Sequence, residues 1–361
     1  MPLVPSYINT LENYVPGRPI EEVQRTLGIK KVIKLASNEN SLGPSPLAVN
    51  AIQKAVKLIH RYPDSGGFNL RDKLSKKFKL NIDNVILGAG SEGIMSTIMR
   101  TFLLQDDEII TAKNSFIGFK VLANASGRKI HWIPMKNYRY DLISMAEKIN
   151  DYTKIIYIAN PDNPMGTYIK RKEFDLFYKK VPERVLIIMD EAYFEFAQNE
   201  SEYPDSMTYR YDNVITLRTF SKAYGLAGLR IGYGFAHSSL IKNLMKVKVP
   251  FEPSFLAQVA GFSALEDKEF LERTLTLNYE GKKNLCDKLS DLNVQTIPSI
   301  ANFLTTVWGT SDKANYISKS LLEKGIIVRN LVSFGWPNCL RVSIGLKFEN
   351  EMFIKELSSL L

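Results

Sequence analysis

Residues 213–232, NVITLRTFSKAYGLAGLRIG, join a continuous apolar run to a glycine-containing loop. Three earlier runs have the same apolar, mostly β-branched character: VILG at 85–88, KIIYIA at 154–159 and RVLIIM at 184–189. Runs of this kind are typical of strands that are buried on both faces of a sheet. A turn follows each run, and a stretch with helical periodicity comes next. This alternation predicts an α/β fold, with a mainly parallel sheet and helices on both of its faces.

The residues that follow the predicted strands carry unusual chemistry. They are GAGSEGIM at 88–95, NPDNPMGT at 160–167, DEAYFEF at 190–196 and FSKAYGLAGLRIG at 220–232. Open α/β sheets place their ligand crevices at the carboxyl ends of parallel strands. The sequence therefore predicts a binding site at this edge of the sheet.

The chain is predicted to divide into three segments. Residues 46–254 contain the strand and helix alternation of the large sheet domain. From residue 255 the pattern changes to helix, strand, helix, strand, strand and helix, which predicts a small α+β domain over 255–361. Residues 1–45 are punctuated by prolines, and we expect them to form an arm that joins the small domain.

The composition excludes several classes of protein. The 361 residues are 45% hydrophobic and 24% charged, which excludes a disordered or collagen-like chain. The formal net charge of +9 comes from scattered basic residues, which favours anionic small molecules over nucleic acid as ligands. No apolar run is long enough to span a membrane, and the N-terminus lacks the pattern of a signal peptide. We therefore expect a cytoplasmic protein that binds neither nucleic acid nor membrane.

The cysteines and histidines predict no metal site. Cys286 and Cys339 cannot form a disulfide framework, and they lack the spacing of zinc ligands. His60, His131 and His237 lie in unrelated contexts, so we expect surface or packing roles for them.

Lys222 is the candidate nucleophile. It stands in a glycine-containing loop directly after a predicted strand, without a helical carboxylate partner. This setting suits a lysine whose neutral amine bonds to a carbonyl carbon as a Schiff base, and pyridoxal phosphate is the obvious carbonyl compound. Arg230 then offers a fork of donors to the phosphate, and Gly225 and Gly228 let the backbone approach it. The alternative is a solvated surface lysine.

Asp190, Tyr193 and Asn163 are the candidate partners of a pyridoxal ring. A carboxylate that ends a buried strand, as Asp190 does, is costly unless a cation such as a protonated pyridine nitrogen compensates it. Tyr193 lies three residues further and can reach the phenolic oxygen of the ring. Asn163 sits in a rigid proline-containing turn and can donate to the same oxygen. The alternatives are a helix cap for Asp190, a core position for Tyr193 and simple turn chemistry for Asn163.

Four further residues are predicted from their positions. Ser91 and Glu92 open a helix after a strand, where free backbone N–H groups cradle a phosphate. Phe116 follows the strand EIITA at 108–112 and is placed to stack on a flat ring, although a core role is the alternative. Tyr62 lies in a turn-rich loop outside the strand series, so it either reaches a partner subunit or is an ordinary exposed tyrosine.

Together these segments resemble the fold-type I pyridoxal-phosphate aminotransferases, and within them the histidinol-phosphate aminotransferase family. The resemblance covers nearly the whole chain, and its most specific parts are SKAYGLAGLRIG at 221–232 and DEAYFEF at 190–196. Other family-like segments are NYVPGRPIEEV at 13–23, KLASNEN at 34–40, LGPSP at 42–46, RYPD at 61–64, GAGSE at 88–92, NPDNPMGT at 160–167, ANF at 301–303, GIIVRN at 325–330 and LRVSIG at 340–345.

The resemblance implies a role for each candidate residue. Lys222 is the implied Schiff-base lysine, and Asp190 is the implied partner of the pyridinium nitrogen. The implied ring contacts are Asn163, Tyr193 and Phe116. The implied phosphate cup consists of Ser91, Glu92, Ser221 and Arg230. The implied substrate grip consists of Tyr14, Arg329 and Arg341, with Asn302 near that site. Tyr62 matches the tyrosine that each subunit lends to its neighbour in a homodimer with shared active sites.

The implied reaction is the transamination of L-histidinol phosphate, a phosphorylated amino alcohol, with 2-oxoglutarate, a 2-oxo acid. Its products are imidazole acetol phosphate and glutamate, as in histidine biosynthesis. An aromatic amino acid aminotransferase or a threonine-phosphate decarboxylase of the same fold is the alternative. A pyridoxal-sensing transcription regulator would need a DNA-binding domain, for which there is no room before residue 46.

The sequence departs from the family pattern at four places. Phe116 replaces the tyrosine of many relatives, Ser41 replaces the usual proline, and GSEG at 90–93 replaces Gly-Ser-Asp-Glu. The segment KVPFEPSFLAQ at 248–258 also differs. None of these changes removes a catalytic group. The segment at 248–258 is expected close to the substrate entrance, so its difference bears on substrate specificity and not on the type of reaction.

Overall fold

The computed structural model describes residues 3–13, 17–209 and 212–361, which form twelve strands and fourteen α-helices. The strands are β1 (Ile33–Leu35), β2 (Val85–Gly88), β3 (Glu108–Ala112), β4 (Lys129–Ile133), β5 (Thr153–Ala159), β6 (Leu186–Asp190), β7 (Val214–Thr219), β8 (Gly232–Phe235), β9 (Gln295–Ile297), β10 (Phe303–Val307), β11 (Ile326–Asn330) and β12 (Cys339–Ser343).

The helices are α1 (Ser6–Asn9), α2 (Ile20–Leu27), α3 (Pro46–Ala55), α4 (Phe68–Phe78), α5 (Gly90–Phe102), α6 (Ile117–Ala125), α7 (Leu142–Glu147), α8 (Arg171–Tyr178), α9 (Phe194–Ala197), α10 (Ser238–Val247), α11 (Phe255–Ala264), α12 (Lys268–Asp291), α13 (Ser311–Glu323) and α14 (Lys347–Ser358). None of the helices in the described ranges combines the length and the apolar character that a membrane span requires.

The larger sheet has seven strands in the order β2-β8-β7-β6-β5-β3-β4. Six of them run in one direction, and β8 runs antiparallel to its neighbours β2 and β7. The four apolar runs of the sequence form β2, β5, β6 and β7, which confirms the predicted, mainly parallel sheet. Strand β8 was not predicted from the sequence. Its four residues, GYGF, include two glycines, and glycine is unfavourable in strands.

Helices cover both faces of this sheet, as predicted. On β5, Ile155 packs in a cluster with Met95 of α5 and Leu244 of α10. The next residue, Ile156, packs in a different cluster with Phe174 of α8. Successive side chains of a strand point to opposite faces, so a strand buried on both faces reads as a continuous apolar run.

The smaller sheet has five strands in the order β1-β11-β12-β10-β9. β1 pairs in parallel with β11, and the other neighbours are antiparallel. Apolar residues of α12, α13 and α14, among them Leu285, Leu321 and Phe353, pack in one cluster with this sheet. The smaller sheet and helices α12, α13 and α14 therefore share one apolar core, and β1 adds residues of the N-terminal segment to this sheet.

Helix α11 begins at residue 255, where the small domain was predicted to start. Its residues Ala257 and Ala260 pack in a cluster with Phe220 and Tyr233, which lie on the side of the large sheet. The helix also contacts α3 along its length. We therefore propose that the large domain continues through α11 and that the small domain begins with α12.

Candidate active site

A cleft opens at the carboxyl ends of β5, β6 and β7 and consists of two adjoining compartments. The smaller one has a volume of about 180 Å³, and the larger one has a volume of about 420 Å³. Polar or charged residues found only in the smaller compartment are Ser91, Asp190, Thr219, Ser221 and Arg230. Residues that line both compartments are Glu92, Phe116, Asn163, Tyr193 and Lys222. Arg329 and Arg341 line the larger compartment.

Lys222 lies in the loop after β7, where the two compartments meet. Its Nζ donates a hydrogen bond to the carbonyl oxygen of Ser37 at 3.2 Å and lies 5.8 Å from the centroid of the Tyr193 ring. Burial, together with the positive charges of Arg341 and Arg230, lowers the pKa of Lys222 to about 8. A neutral and therefore nucleophilic amine is accessible near physiological pH.

Asp190 is the last residue of β6 and is 4% exposed. The Tyr157 hydroxyl donates a hydrogen bond to Oδ2 of Asp190 at 2.8 Å. The other carboxylate oxygen, Oδ1, is buried and has no hydrogen-bond partner among the described residues. Burial, with a contribution from the nearby Glu92, raises the pKa of Asp190 to about 7. Asp190 is not a helix cap, because α9 begins after Tyr193.

Tyr193 is held by a residue that the sequence analysis did not single out. Nδ2 of Asn38 donates to the Tyr193 hydroxyl at 2.9 Å, and burial raises the pKa of Tyr193 to about 12. Asn302 donates to the carbonyl oxygen of Asn38 at 3.1 Å and lines neither compartment. The structure therefore places Asn302 one contact behind the cleft. The family-like segment at 34–40 was the only sequence signal for Asn38.

Asn163 and Arg341 are in direct contact. Arg341 donates one hydrogen bond to Oδ1 of Asn163 and another to the carbonyl oxygen of Ala36 at 2.7 Å. Arg341 is buried, whereas Arg329 is partly exposed. The larger compartment therefore has two guanidinium groups, one buried and bonded to the Asn163 amide and one nearer the surface.

The amino end of α5 meets the loop of Arg230. The guanidinium pairs with the Glu92 carboxylate at 3.1 Å and lies 3.5 Å from Oγ of Ser221. Gly232 allows this approach, because a Cβ at that position would lie 2.5 Å from the backbone nitrogen of Ser91. Donors from three chain segments therefore converge on one end of the smaller compartment.

An apolar wall faces the larger compartment. Phe116 immediately precedes α6, whose residues Ile117, Val121 and Leu122 line the compartment, and Phe334 lines it as well. Apart from Phe116, the sequence analysis did not predict these residues, because an apolar side chain in a pocket cannot be told from a core residue by its type.

Tyr62 lies outside the cleft of its own chain. It is 81% exposed and stacks on Phe251, with ring centroids 4.4 Å apart. Tyr14, also predicted at the site, lies outside the described residues. Within the described ranges, no three histidine, cysteine, aspartate or glutamate side chains are grouped so that they could hold a metal ion.

Comparisons with known proteins identify the family of the chain. The family described as aminotransferase class I and II matches residues 30–357. Histidinol-phosphate aminotransferase 2 of Carboxydothermus hydrogenoformans is 41% identical over 99% of both chains. The histidinol-phosphate aminotransferase of Moorella thermoacetica is 42% identical over 98% of this chain and 92% of its own.

A solved structure has the same fold. The histidinol-phosphate aminotransferase of Sinorhizobium meliloti, in complex with pyridoxal-5'-phosphate, superposes with a TM-score of 0.91 at 26% identity. The match covers 100% of this chain and 98% of that one, which confirms the predicted fold type I. The chain therefore belongs to the class I and II aminotransferases and, within them, to the histidinol-phosphate aminotransferase family.

Proposed function

We propose that the protein uses pyridoxal phosphate to transfer the amino group of L-histidinol phosphate to 2-oxoglutarate, giving imidazole acetol phosphate and glutamate. One observation carries this proposal. A lysine with a lowered pKa and an aspartate with an unpartnered buried oxygen, Lys222 and Asp190, line the same compartment at the strand ends. The relatives named above, similar over nearly their full length, support histidinol phosphate as the donor.

The smaller compartment fits pyridoxal phosphate. Oδ1 of Asp190 needs a hydrogen-bond donor, and a protonated pyridine nitrogen is one. Backbone N–H groups at the start of α5, with the Ser91 and Ser221 hydroxyls and Arg230, would hold the phosphate. Lys222 would hold the aldehyde carbon. When bound, the cofactor supplies an electron sink for the bond that breaks at the substrate carbon.

Each polar residue then has a defined task. The Asp190 carboxylate keeps the ring nitrogen protonated, and Lys222 moves the proton at the substrate carbon. Because Arg341 occupies Oδ1 of Asn163, the amide nitrogen of Asn163 is free to donate to the ring oxygen. The Tyr193 hydroxyl would be a second donor to that oxygen, and Phe116 would cover the ring.

The larger compartment fits a substrate with one anionic end and one flat ring. Arg329 and Arg341 would bind the phosphate, with Tyr14 as a further donor, because guanidinium groups bind phosphate through paired hydrogen bonds. The apolar residues of α6 would contact the imidazole ring. The same apolar wall favours a second candidate function, the transamination of aromatic amino acids, in which the arginines would meet a carboxylate instead.

We also propose a cytoplasmic homodimer with shared sites. Tyr62 stacks on the exposed Phe251, and Leu58, Ile59 and Phe68, which are close to Tyr62 in the chain, are exposed as well. An exposed apolar patch of this kind marks an interface. A second subunit docked there would bury the patch and bring Tyr62 into the neighbouring cleft.

Product analysis with a panel of donors tests the proposed function. The purified protein would be incubated with pyridoxal phosphate, 2-oxoglutarate and histidinol phosphate, phenylalanine, tyrosine or threonine phosphate, and glutamate and carbon dioxide would be measured. We expect glutamate from histidinol phosphate at the highest kcat/KM, without carbon dioxide. A preference for phenylalanine would replace the proposal by its aromatic alternative, and release of carbon dioxide would indicate a decarboxylase.

A further inference from the structure

We propose that Tyr157 is a positioning residue of the cofactor site, which occupies one carboxylate oxygen of Asp190 so that the other faces the ring nitrogen, and which favours the ionised carboxylate. This inference rests on the role proposed for Asp190. It concerns a residue inside an apolar strand that lines neither compartment of the cleft.

The geometry of the pair is tightly constrained. Tyr157 lies in β5, beside β6, where Ala159 is the register partner of Asp190. The Tyr157 side chain is fully buried, and its ring stacks on Phe119 with a centroid distance of 3.8 Å and an interplanar angle of 7°. A phenol fixed in this plane can deliver its hydroxyl only to a narrow range of positions. Oδ2 of Asp190 occupies one of them, at 2.8 Å.

The hydrogen bond has a defined direction. Burial and the Asp190 charge raise the pKa of Tyr157 well above its ordinary value, so the phenol keeps its proton and donates it. Because Oδ2 is occupied, Oδ1 is the oxygen left to accept from the cofactor. The donor also stabilises the anionic carboxylate, so that a shared proton stays on the ring nitrogen and not on Asp190.

Two neighbouring carboxylates oppose the ionisation of Asp190, whereas the cationic Lys222 and Arg230 line the same compartment. Glu92 and Glu191 both favour the protonated form of Asp190. Glu191 forms an ion pair with Arg218. This pairing weakens the effect of Glu191 on the pKa of Asp190 but does not remove it. The Tyr157 hydrogen bond is the largest of the contributions that lower the pKa of Asp190, and it acts against the burial that raises this pKa.

Tyr157→Phe, compared with a matched control, tests the proposal in the holoenzyme. The control is Tyr140→Phe, which removes the hydroxyl of another buried tyrosine, one bonded to Ser115 and to the Ala159 backbone. Each protein would be reconstituted with pyridoxal phosphate labelled with ¹⁵N in the ring, and the ¹⁵N chemical shift would be recorded. We expect Tyr157→Phe to move the signal toward that of an unprotonated ring and Tyr140→Phe to leave it near the wild-type position.

One further measurement needs no cofactor, and one further variant keeps the Tyr157 hydroxyl. In the apoprotein, ¹³C titration of Asp190 should show its pKa rising by about one pH unit in Tyr157→Phe, a tenfold change in proton affinity. Phe119→Leu keeps the hydroxyl but removes the stacked ring, so it should shift both signals in the same direction by a smaller amount. This variant decides the question if Tyr157→Phe does not fold.

The outcomes separate this inference from the proposed function. An unchanged ring ¹⁵N shift and an unchanged Asp190 titration in Tyr157→Phe would overturn the role of Tyr157, while the cofactor remains bound to Lys222. Failure of the wild-type protein to bind pyridoxal phosphate would overturn the proposed function itself. A kcat loss in Tyr157→Phe without a change in the ¹⁵N signal would indicate a merely structural role.

Discussion

Arg329 and Arg341 are directly opposed residues on the antiparallel strands β11 and β12. Directly opposed residues of an antiparallel pair project from the same face of the sheet, so both side chains can reach one anion. Two guanidinium groups on rigid strands suit a phosphate dianion better than a single carboxylate. The net charge of +9 adds a general attraction for such a substrate.

The first prediction concerns the nearer-surface arginine. Arg329→Ala should lower kcat/KM for histidinol phosphate by on the order of ten- to a hundredfold, because one charge-assisted contact to a desolvated anion is lost. The loss for phenylalanine should be smaller. Steady-state kinetics on both substrates measure the difference, with Arg100→Ala on exposed α5 surface as the control. Equal losses on the two substrates would argue against the phosphate grip.

The second prediction concerns the covalent attachment. Borohydride reduction followed by peptide mass spectrometry should place pyridoxal phosphate on Lys222, and the rate of attachment should rise with pH through about 8 as the amine loses its proton. Lys282 is an internal control, because burial lowers its pKa to about 8 as well, although it lies on α12 outside the cleft. An adduct on Lys282 would mean that a lowered lysine pKa is enough to direct the attachment and that the residues of the cleft are not required.

The third prediction follows from the raised pKa of Asp190. The ordinary value is 3.8 and the folded value is about 7, so the folded apoprotein binds more protons than the unfolded chain between these pH values. The free energy of unfolding should therefore fall as pH rises through that window. Asp190→Asn should flatten this slope in urea unfolding of the apoprotein, whereas the exposed-site variant Asp151→Asn should not. The same slope in Asp190→Asn and wild type would contradict the assigned pKa.

The fourth prediction tests the shared site. Lys222→Ala and Tyr62→Ala should each have little activity, and mixing the two chains under conditions of subunit exchange should restore part of it. A mixed dimer assembles one intact site, because the Tyr62 of one subunit serves the Lys222 of the other. Tyr152→Ala, at another exposed tyrosine, should be active on its own. Sedimentation of a fully active monomer would exclude the shared site.

The fifth prediction compares Gly232, the first residue of β8, with Gly228, which lies between β7 and β8. Gly232→Ala would place a Cβ 2.5 Å from the backbone nitrogen of Ser91, so the amino end of α5 must move. The affinity for pyridoxal phosphate should fall at least tenfold, a loss of about 1.4 kcal/mol, as phosphate donors are displaced. Gly228→Ala has open space around the new Cβ and should bind normally. Fluorescence titration measures the affinity of both variants for pyridoxal phosphate. Equal affinities would contradict a role for the close approach between Gly232 and the Ser91 backbone.

The sequence alone determined the sheet and most of the cleft. Continuous apolar runs identify strands buried on both faces, and the loops that follow them must meet at one sheet edge because parallel strands end there. Lys222, Asp190 and Asn163 were therefore predictable as neighbours although they are far apart in the chain. The glycine-rich strand β8 was not predictable in this way, because its place in the sheet depends on neighbours and not on its own propensity.

Only the tertiary structure decided which side chains support the site. Asn302 was expected at the substrate site but lies behind Asn38, and Tyr157, to which the sequence assigned no role, donates to Asp190. A sequence pattern gives the type of each residue and predicts the face of the helix or strand on which it lies. The contacts of a buried polar atom depend instead on how separate strands and loops pack, so no local pattern specifies that the Tyr157 hydroxyl meets a carboxylate on the adjacent strand.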